Sequence, residues 1–424
     1  ASLVEGLIFF NWMTMVSMKI KNIWQEKISK GPKWLWGFWA LWFVLFWIPP
    51  AVWSDNDLME TKVPEALNPA FEHLLALTGS GGTTGFQPEI VQGLLDFVAA
   101  PKEADRLYYV DGVSKGTSAY HEFVVDTGMA HTLKLSYNPA FPSIITSPSS
   151  VRLSYWSEFG DGRQTLPKLW DYLEDVSEPF IVTGRETTEN TPDTNTGAYY
   201  RYGLDRTLVL MKHNGHHVLI SLSKQTDVSE VGKKGVILGD DTDWTYLYSD
   251  KKGLDKAGLG WVSSYMYDSF SIIVYYEMQQ GETARVKCGA FKWLDAGWNK
   301  INMVKKHHIY KGLERFGQTY KSIVEHPSLR DPAVMEGGFS RIAAMEMGEL
   351  QQLNRSYLKS VRERHADDKA LSSRWVDDLL KDEQVEKMDR YELSSVLMLE
   401  YFKNVLGKTH HLDLALQGAV SHKP

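Results

Sequence analysis

The sequence predicts an α+β fold in which an antiparallel, aromatic-rich sheet is closed by a long helix and followed by a small α-helical bundle. Three observations lead to this prediction. Short β-rich runs with a period of two fill the middle of the chain, residues at helical spacing follow them, and an uncharged stretch precedes both. With 424 residues, 43% hydrophobic and 12% aromatic, the chain is long enough to bury a sizeable core.

Charge and cysteine content exclude several classes of function. The net charge of −7 gives no overall attraction to phosphate backbones, so nucleic acid is not expected as a partner. Cys288 is the single cysteine, which excludes an internal disulfide framework and any multi-cysteine metal site. It alternates with Val286 and Ala290, which predicts a buried structural thiol rather than a nucleophile.

The amino-terminal part of the chain contains a segment of membrane character. Residues 34–53 include no charged side chain, and as a helix they would span about 30 Å, the thickness of a bilayer core. Lysines precede this segment, so the positive-inside tendency predicts that the rest of the chain lies on the exported side, in the cell envelope. Small residues at the segment's end favour a signal peptide cleaved after Ser54, whereas its tryptophans favour a retained membrane anchor, and both alternatives stay open.

Composition and period divide the whole chain into five segments. They are a possible upstream extension (1–17), a signal peptide or membrane anchor (18–54), a helical lead-in (55–104), an antiparallel β-rich domain with its closing helix (105–325) and a helical bundle (333–410).

The elements before residue 200 follow from the spacing of apolar residues. Helices are expected over 57–78 and 88–99, and from about residue 105 the period changes to two. A helical insert is expected near Leu166–Leu173. The alternating runs predict strands at 107–111, 120–126, 131–137, 151–157 and 179–183.

A β-hairpin around Asn214-Gly215 is the clearest single element. This dipeptide supplies the two positive-φ positions of a type I′ turn. Counting outward from the turn places three pairs on one face, which we expect to be the buried one: Met211 with Val218, Val209 with Ile220, and Thr207 with Leu222.

The second half of the chain continues the sheet and then becomes helical. Residues Asp295 to Val324 are predicted to form one amphipathic closing helix that includes Trp298, and the sequence 325–332 marks a domain boundary. The strands expected before this helix are 235–238, 244–248, 261–267, 270–277 and 284–292. The helices expected after the boundary are centred on 339–361, 375–380 and 393–405.

In the order of its elements, the chain from about 60 to 325 resembles the helix-grip fold of START and Bet v 1-like proteins. The likeness is clearest over Leu204–Val324, where a hairpin and aromatic strands run into the final amphipathic helix, although no diagnostic motif of that superfamily is present. The resemblance implies a curved sheet that wraps the helix and encloses an apolar cavity for a lipid or another hydrophobic small molecule. The aromatic residues predicted to line that cavity are Trp261, Tyr265, Tyr267, Tyr276 and Trp298.

No catalytic or metal-binding motif stands out. His213, His216 and His217 crowd a turn without the spacing of a ligand set, and the acidic loop 240–243 does not match a calcium loop, which favours an Asx-turn. The sequence contains neither G-x-S-x-G nor H-E-x-x-H. We therefore expect no catalytic residue, no metal ion and no cofactor.

Three functions remain open at this level. The first is an envelope-located protein that binds or carries a hydrophobic small molecule or lipid. The second is a membrane-tethered scaffold or assembly protein that uses its carboxyl-terminal helical bundle for protein contacts, held by residues 34–53 if these are not cleaved. The third, ranked last, is a hydrolase that uses His121, His131 and Asp241.

Overall fold

The computed structural model describes residues 58–78, 85–103, 106–194, 196–256, 260–280, 283–368, 371, 376 and 378–411. The predicted upstream extension and the predicted signal peptide or anchor lie outside these ranges. The described residues, from Leu58 to His411, belong to one compact unit. Within the described ranges, no helix is both long and apolar enough to cross a bilayer.

The described elements form a large antiparallel sheet followed by a helical region, as predicted. The strands are β1 (Met59–Lys62), β2 (Arg106–Tyr109), β3 (Thr117–Val125), β4 (Val151–Phe159), β5 (Phe180–Asn190), β6 (Ala198–Tyr199), β7 (Arg201–His213), β8 (His216–Gln225), β9 (Lys233–Ile237), β10 (Tyr246–Lys252), β11 (Leu254–Lys256), β12 (Gly260–Val262), β13 (Tyr265–Gln280), β14 (Thr283–Trp298) and β15 (Ile301–Asn302). The α-helices are α1 (Asn68–Ala76), α2 (Pro88–Ala99), α3 (Met129–Ser136), α4 (Lys306–Val324), α5 (Glu336–Ala344), α6 (Met347–Arg364), α7 (Asp382–Lys387) and α8 (Arg390–Val405).

Ten of the described strands form one sheet in the order β1-β2-β3-β14-β13-β8-β7-β5-β4, with β15 pairing beside β14. All of its neighbouring pairs except β1–β2 are antiparallel. The hairpin of β7 and β8 has the predicted register, including Met211 opposite Val218 and Val209 opposite Ile220. Gly215 has φ +81° and Asn214 φ +50°, as a type I′ turn requires.

Both faces of the sheet are buried, which corrects the expectation of a single buried hairpin face. The predicted face, with Val209 and Ile220, packs against α1 and α2, where Phe71 meets Phe291 with ring centroids 5.0 Å apart. The opposite face, with Leu210 and Leu219, belongs to a second core. Apolar residues stand at both odd and even positions of β7 and β8, and so point to both faces of the sheet, because both faces are covered.

Residues 131–137 form a helix rather than the predicted strand. The alternation of Leu133 with Leu135 suggested a period of two, but Met129, Thr132 and Leu133 are fully buried at helical spacing along α3. The helix begins after Gly128, whose backbone is extended. Short apolar runs fit both periods, and packing on the sheet decides between them here.

The predicted closing helix begins eleven residues later than the sequence pattern suggested, at Lys306 instead of Asp295. β14 continues to Trp298, so that side chain lies on a strand and not on the helix. Asn299 and Lys300 then turn the chain with φ of 51° and 60°. The sixteen-residue strands β13 and β14 are paired along their length, and this long ladder outweighs the helical spacing of the apolar residues after 295.

The carboxyl-terminal helices share an apolar core with the sheet. Tyr275 of β13, Tyr320 of α4 and Phe339 of α5 belong to one buried cluster, which also contains Phe402 of α8. α8 begins with a capping box in which Asp389 and Glu392 satisfy each other's backbone amides. α4, α5 and α8 therefore lie on the face of the sheet opposite α1 and α2.

Candidate functional site

A cavity of about 870 Å³ lies on the face of the sheet that carries α4, α5 and α8. Its floor is formed by β4, β5, β7, β8, β13 and β14, and its remaining walls by residues 136–150 and by one side of each of the three helices. This volume is within the range of about 300–1,000 Å³ typical of small-molecule sites. The lining is predominantly apolar.

The cavity exists because small residues stand where two packed elements face each other. On α4, His308, Ile309, Leu313 and Phe316 line the cavity around Gly312, which carries no side chain. A Cβ added at Gly312 would meet no atom within 4 Å. Opposite the helix, the sheet presents serines rather than large apolar residues, namely Ser221, Ser223 and Ser271. Leucine or phenylalanine at these places would fill the space as an ordinary core.

Aromatic side chains provide much of the apolar wall. Trp156 and Phe159 of β4 stack with ring centroids 4.9 Å apart. Phe141 meets Phe339 of α5 edge to face at 5.5 Å. Such rings offer large contact areas to an apolar guest while they stay fixed by one another.

A polar row crosses the floor of the cavity from strand to strand. The sheet register places Arg206 of β7 opposite Ser223 of β8, Ser223 opposite Ser271 of β13, and Ser271 opposite Lys292 of β14. All four side chains line the cavity. Residues in register on one face of a sheet are direct neighbours, so this row forms a continuous band.

Lys292 and Arg206 each form hydrogen bonds with serines of the adjacent strand, which lies between them in the sheet. Lys292 Nζ donates hydrogen bonds to Ser269 Oγ at 2.6 Å and to Ser271 Oγ at 2.9 Å. Arg206 Nη2 donates to Ser221 Oγ at 3.0 Å. Each charged end therefore lies above the strand next to its own, and β8 and β13 are themselves adjacent.

Glu186 is the acidic residue of this wall. Its Oε2 lies 3.2 Å from Arg206 Nε, but the orientation makes no hydrogen bond, and Nε has no acceptor among the described residues. Burial raises the pKa of Glu186, and Arg206 partly opposes that rise. Burial and then the charge of Glu186 raise the pKa of the neighbouring Tyr202 to about 12. Ser154 donates its hydroxyl hydrogen to the Glu186 carboxylate.

Buried tyrosines mark one end of the cavity. The Tyr137 and Tyr275 rings pack edge to face with centroids 6.1 Å apart, and Tyr320 Oη lies 2.7 Å from Ser136 Oγ. Burial raises the pKa of all three tyrosines. These hydroxyls stay protonated near neutral pH and can donate hydrogen bonds.

Lys292 gives the site a pH dependence that stability measurements can detect. Burial is the largest cause that lowers its pKa, to about 8; Arg206 and Lys224 lower it further and Asp268 opposes them. Between pH 8 and the ordinary lysine pKa near 10.5 the unfolded chain binds more protons than the folded one, so the free energy of unfolding should rise with pH.

We therefore expect the wild type minus Lys292→Met difference in free energy of unfolding to increase from pH 7 to pH 10. Urea denaturation of ligand-stripped protein at unit pH steps measures it. Subtracting the variant removes the titration of the neighbouring groups that both proteins share. A difference that is constant over this range would show that Lys292 titrates normally.

The five aromatic residues predicted to line a cavity do not lie in one place. Tyr265 and Tyr267 are half-buried and stack with centroids 6.2 Å apart, at the start of β13. Tyr276 is buried on the face covered by α1 and α2, and Trp298 is half-buried at the end of β14. Trp261 lies on β12, and its side chain lies outside the described part of the structure. None of the four described side chains lines the cavity, so their ligand-binding role stays a prediction.

The other residues considered from the sequence occupy structural positions. His213 Nε2 lies 2.8 Å from Asp96 Oδ1, and His217 Nδ1 pairs with Glu277. Asp240 caps the Thr242 amide, as an Asx-turn does. Cys288 is fully buried as predicted, and its burial raises its pKa well above the ordinary value.

The three residues of the hydrolase hypothesis are engaged separately. His121 packs its ring edge to face on Tyr310 at 5.3 Å. His131 Nε2 lies 3.2 Å from the carbonyl oxygen of Val324. Asp241 forms an ion pair with Arg315 of α4.

Two residues of the polar row could have been found from the sequence, because each is a charged residue within an otherwise apolar strand pattern. Lys292 stands between Phe291 and Trp293, the latter two fully buried on the other face of β14. A lone lysine between two large aromatics, in a strand covered on both sides, indicates a charge placed in a cavity. Arg206 has the same parity as Leu208 and Leu210, which makes it a polar exception on an apolar face.

Comparison with known proteins does not assign this chain to a family. No protein-family model matches the sequence, and no curated protein matches it significantly. A solved structure described as the human StarD13 (DLC2) lipid transfer and protein localization domain is 10% identical, with a TM-score of 0.25. The match covers 57% of this chain and 96% of that one. At so low a TM-score, the account of the fold depends on the strand order and helix positions described above.

Proposed function

We propose that this protein binds or carries a lipid or another hydrophobic small molecule in the cavity between the sheet and α4. The observation that supports the proposal is a volume of about 870 Å³ with mainly apolar walls between the sheet and the helices. The cavity is partly open to solvent, so its apolar walls face water when no ligand is bound. An apolar guest removes that surface from water, which is favourable.

The arrangement of the sheet and of α4 agrees with the helix-grip plan suggested by the order of elements. Phe123 of β3 packs on Phe316 and Tyr320 of α4, with ring centroids 5.9 and 5.6 Å apart. Ile309 and Leu313 of the same helix belong to a small apolar cluster with Leu107 of β2 and Ala119 of β3, and they also border the cavity. A carrier function needs no catalytic group in this space.

The ligand should remain with the protein during gentle isolation. We expect native mass spectrometry of the full chain, purified from a bacterial host, to give a mass excess over the polypeptide. Organic extraction of the same sample should release the apolar molecule. Protein that carries no extractable molecule and binds none of a panel of long-chain lipids would contradict the proposal.

We further propose that the protein works on the exported side of the cell envelope, as a tethered or released protein. The support is the uncharged segment 34–53 and the lysines before it. In spheroplasts, added protease should degrade a carboxyl-terminal epitope tag. Replacing Lys27, Lys30 and Lys33 by glutamate should weaken this orientation and protect the tag. Complete protection of the unaltered chain would contradict export.

A further inference from the structure

The row of polar side chains on the cavity floor carries more positive than negative charge. Among the residues that line the cavity, the permanently charged cations are Arg206 and Arg390, Lys292 is a third cation, and Glu186 is the one acidic residue. Arg390 is exposed at the start of α8, and its Nη1 donates to the Met345 carbonyl oxygen at 2.8 Å. The inner part of the cavity therefore holds two cations against one buried carboxylate.

Both inner cations keep N–H donors that no acceptor of the described residues uses, although Arg206 forms an ion pair with Glu186. Lys292 has three N–H donors, and two serine hydroxyls accept from it. No carboxylate of the described residues lies within ion-pair distance of Lys292, whereas the neighbouring Lys224 pairs with Asp268. Arg206 Nε is buried and lacks an acceptor in the described part of the chain. A largely buried cation whose N–H donors lack acceptors is stabilised when an anion binds beside it.

The spacing of the two cations suits one small anion. Lys292 is bound at Ser271 and Arg206 at Ser221, and Ser221 lies opposite Ile273, two residues along β13 from Ser271. Diagonal neighbours of this kind are roughly 7–8 Å apart. Two charge-assisted hydrogen bonds of about 2.8 Å with a carboxylate or phosphate between them span a similar distance.

From these observations we infer that the ligand is an anionic amphiphile whose carboxylate or phosphate binds between Lys292 and Arg206. Its apolar part lies against Trp156, Phe159 and the cavity side of α4. This inference rests on the proposed function and adds the chemical class of the headgroup. Arg206, whose guanidinium carbon lies 5.9 Å from the Trp156 ring centre, joins the polar row to the aromatic wall.

Three radiolabelled probes with the same sixteen-carbon chain test the inference on the full-length protein: palmitate, hexadecyl phosphate and 1-hexadecanol. The wild type should bind at least one of the two anions about tenfold or more tightly than the alcohol. Lys292→Met should lower the affinity for that anion by about 10- to 100-fold, the value of one charged hydrogen bond, and should change hexadecanol binding much less. Lys292→Arg should retain most of the preference.

Lys212→Met is the matched control, because Lys212 is exposed on β7 near the hairpin turn and does not line the cavity. It should leave all three affinities unchanged. Preference for palmitate or for hexadecyl phosphate would identify the headgroup as carboxylate or phosphate.

Two results would overturn the inference in different ways. Equal binding of all three probes, with no effect of Lys292→Met, would contradict the anionic headgroup and leave an apolar carrier. Binding of none of them, or of any other long-chain lipid, would remove the proposed function and the inference together.

Discussion

Gly312→Trp should reduce binding of a long-chain ligand tenfold or more while the protein stays folded. Gly312 is exposed and lines the cavity on α4, between Ile309 and Phe316 in sequence. A side chain at this position meets open space, so the indole can enter the cavity without pushing against the backbone. It then occupies the volume that the ligand needs. Equilibrium binding of labelled palmitate or hexadecanol to the full chain measures the loss.

Two further glycine variants make this experiment specific. Gly312→Ala should keep ligand binding, because a methyl group takes little space, and should stabilise the helix by up to about 1 kcal/mol. Gly337→Trp adds the same indole to α5 at an exposed glycine that also has open space around it and does not line the cavity. All variants retain the hydrophobic amino-terminal segment, so nonspecific binding to it is common to them. Unchanged affinity in Gly312→Trp would show that the ligand binds elsewhere.

The sequence predicted correctly those elements that a few neighbouring residues determine. α2 has the predicted bounds because Pro88 begins it and Val91, Leu94 and Val98 form one buried stripe. The register of the β7–β8 hairpin follows from Asn214-Gly215 alone. The bounds of β14 and α4 could not be predicted in this way. Residues 295–297 are held in the sheet by pairing with β13, up to Gly297 opposite Tyr265, and Trp298 pairs with Ile301 of β15.

An apolar cavity was expected from the resemblance, but the lining of the cavity described above was not predicted, because positions with small side chains define it. In the sequence, Gly312 is only a residue of low helix propensity and Ser271 only a polar residue of a strand. Their role in forming a cavity follows from the packing of α4 on the sheet. Tyr276 lies outside this cavity because of its position in the alternation of β13. Tyr276 follows Phe270 and Ile272 on one face of β13, whereas Ser271, Ile273 and Tyr275 face the cavity. A sheet buried on both sides gives no apolar alternation to separate these faces.

The attachment of the helical region to the sheet offers the largest expected effect on stability. Arg152 of β4 and Glu189 of β5 form a buried ion pair, with side chains 5% and 1% exposed. Glu392 of α8 joins it, since its Oε1 lies 3.3 Å from Arg152 Nη1 and 3.1 Å from Arg201 Nη2. The Arg152 guanidinium carbon also lies 3.9 Å from the Tyr248 ring centre. The network therefore links α8 to three strands through a buried pair, Arg152 and Glu189, and two partly exposed residues, Glu392 and Arg201.

Arg152→Met should lower the free energy of unfolding by about 3 kcal/mol or more, because it leaves Glu189 buried with only Arg201 as its cationic partner. Arg185→Met is the control: Arg185 is 54% exposed, its pairs with Glu158 and Asp205 are 3.3 and 3.4 Å long, and its loss should cost no more than about 1 kcal/mol. Urea denaturation compares the two variants, and limited proteolysis should cleave the carboxyl-terminal helices of Arg152→Met first. Similar losses in both variants would mean that α8 is held to the sheet by its apolar contacts, such as the stacking of Phe402 on Trp244 at 6.2 Å, rather than by the buried charges.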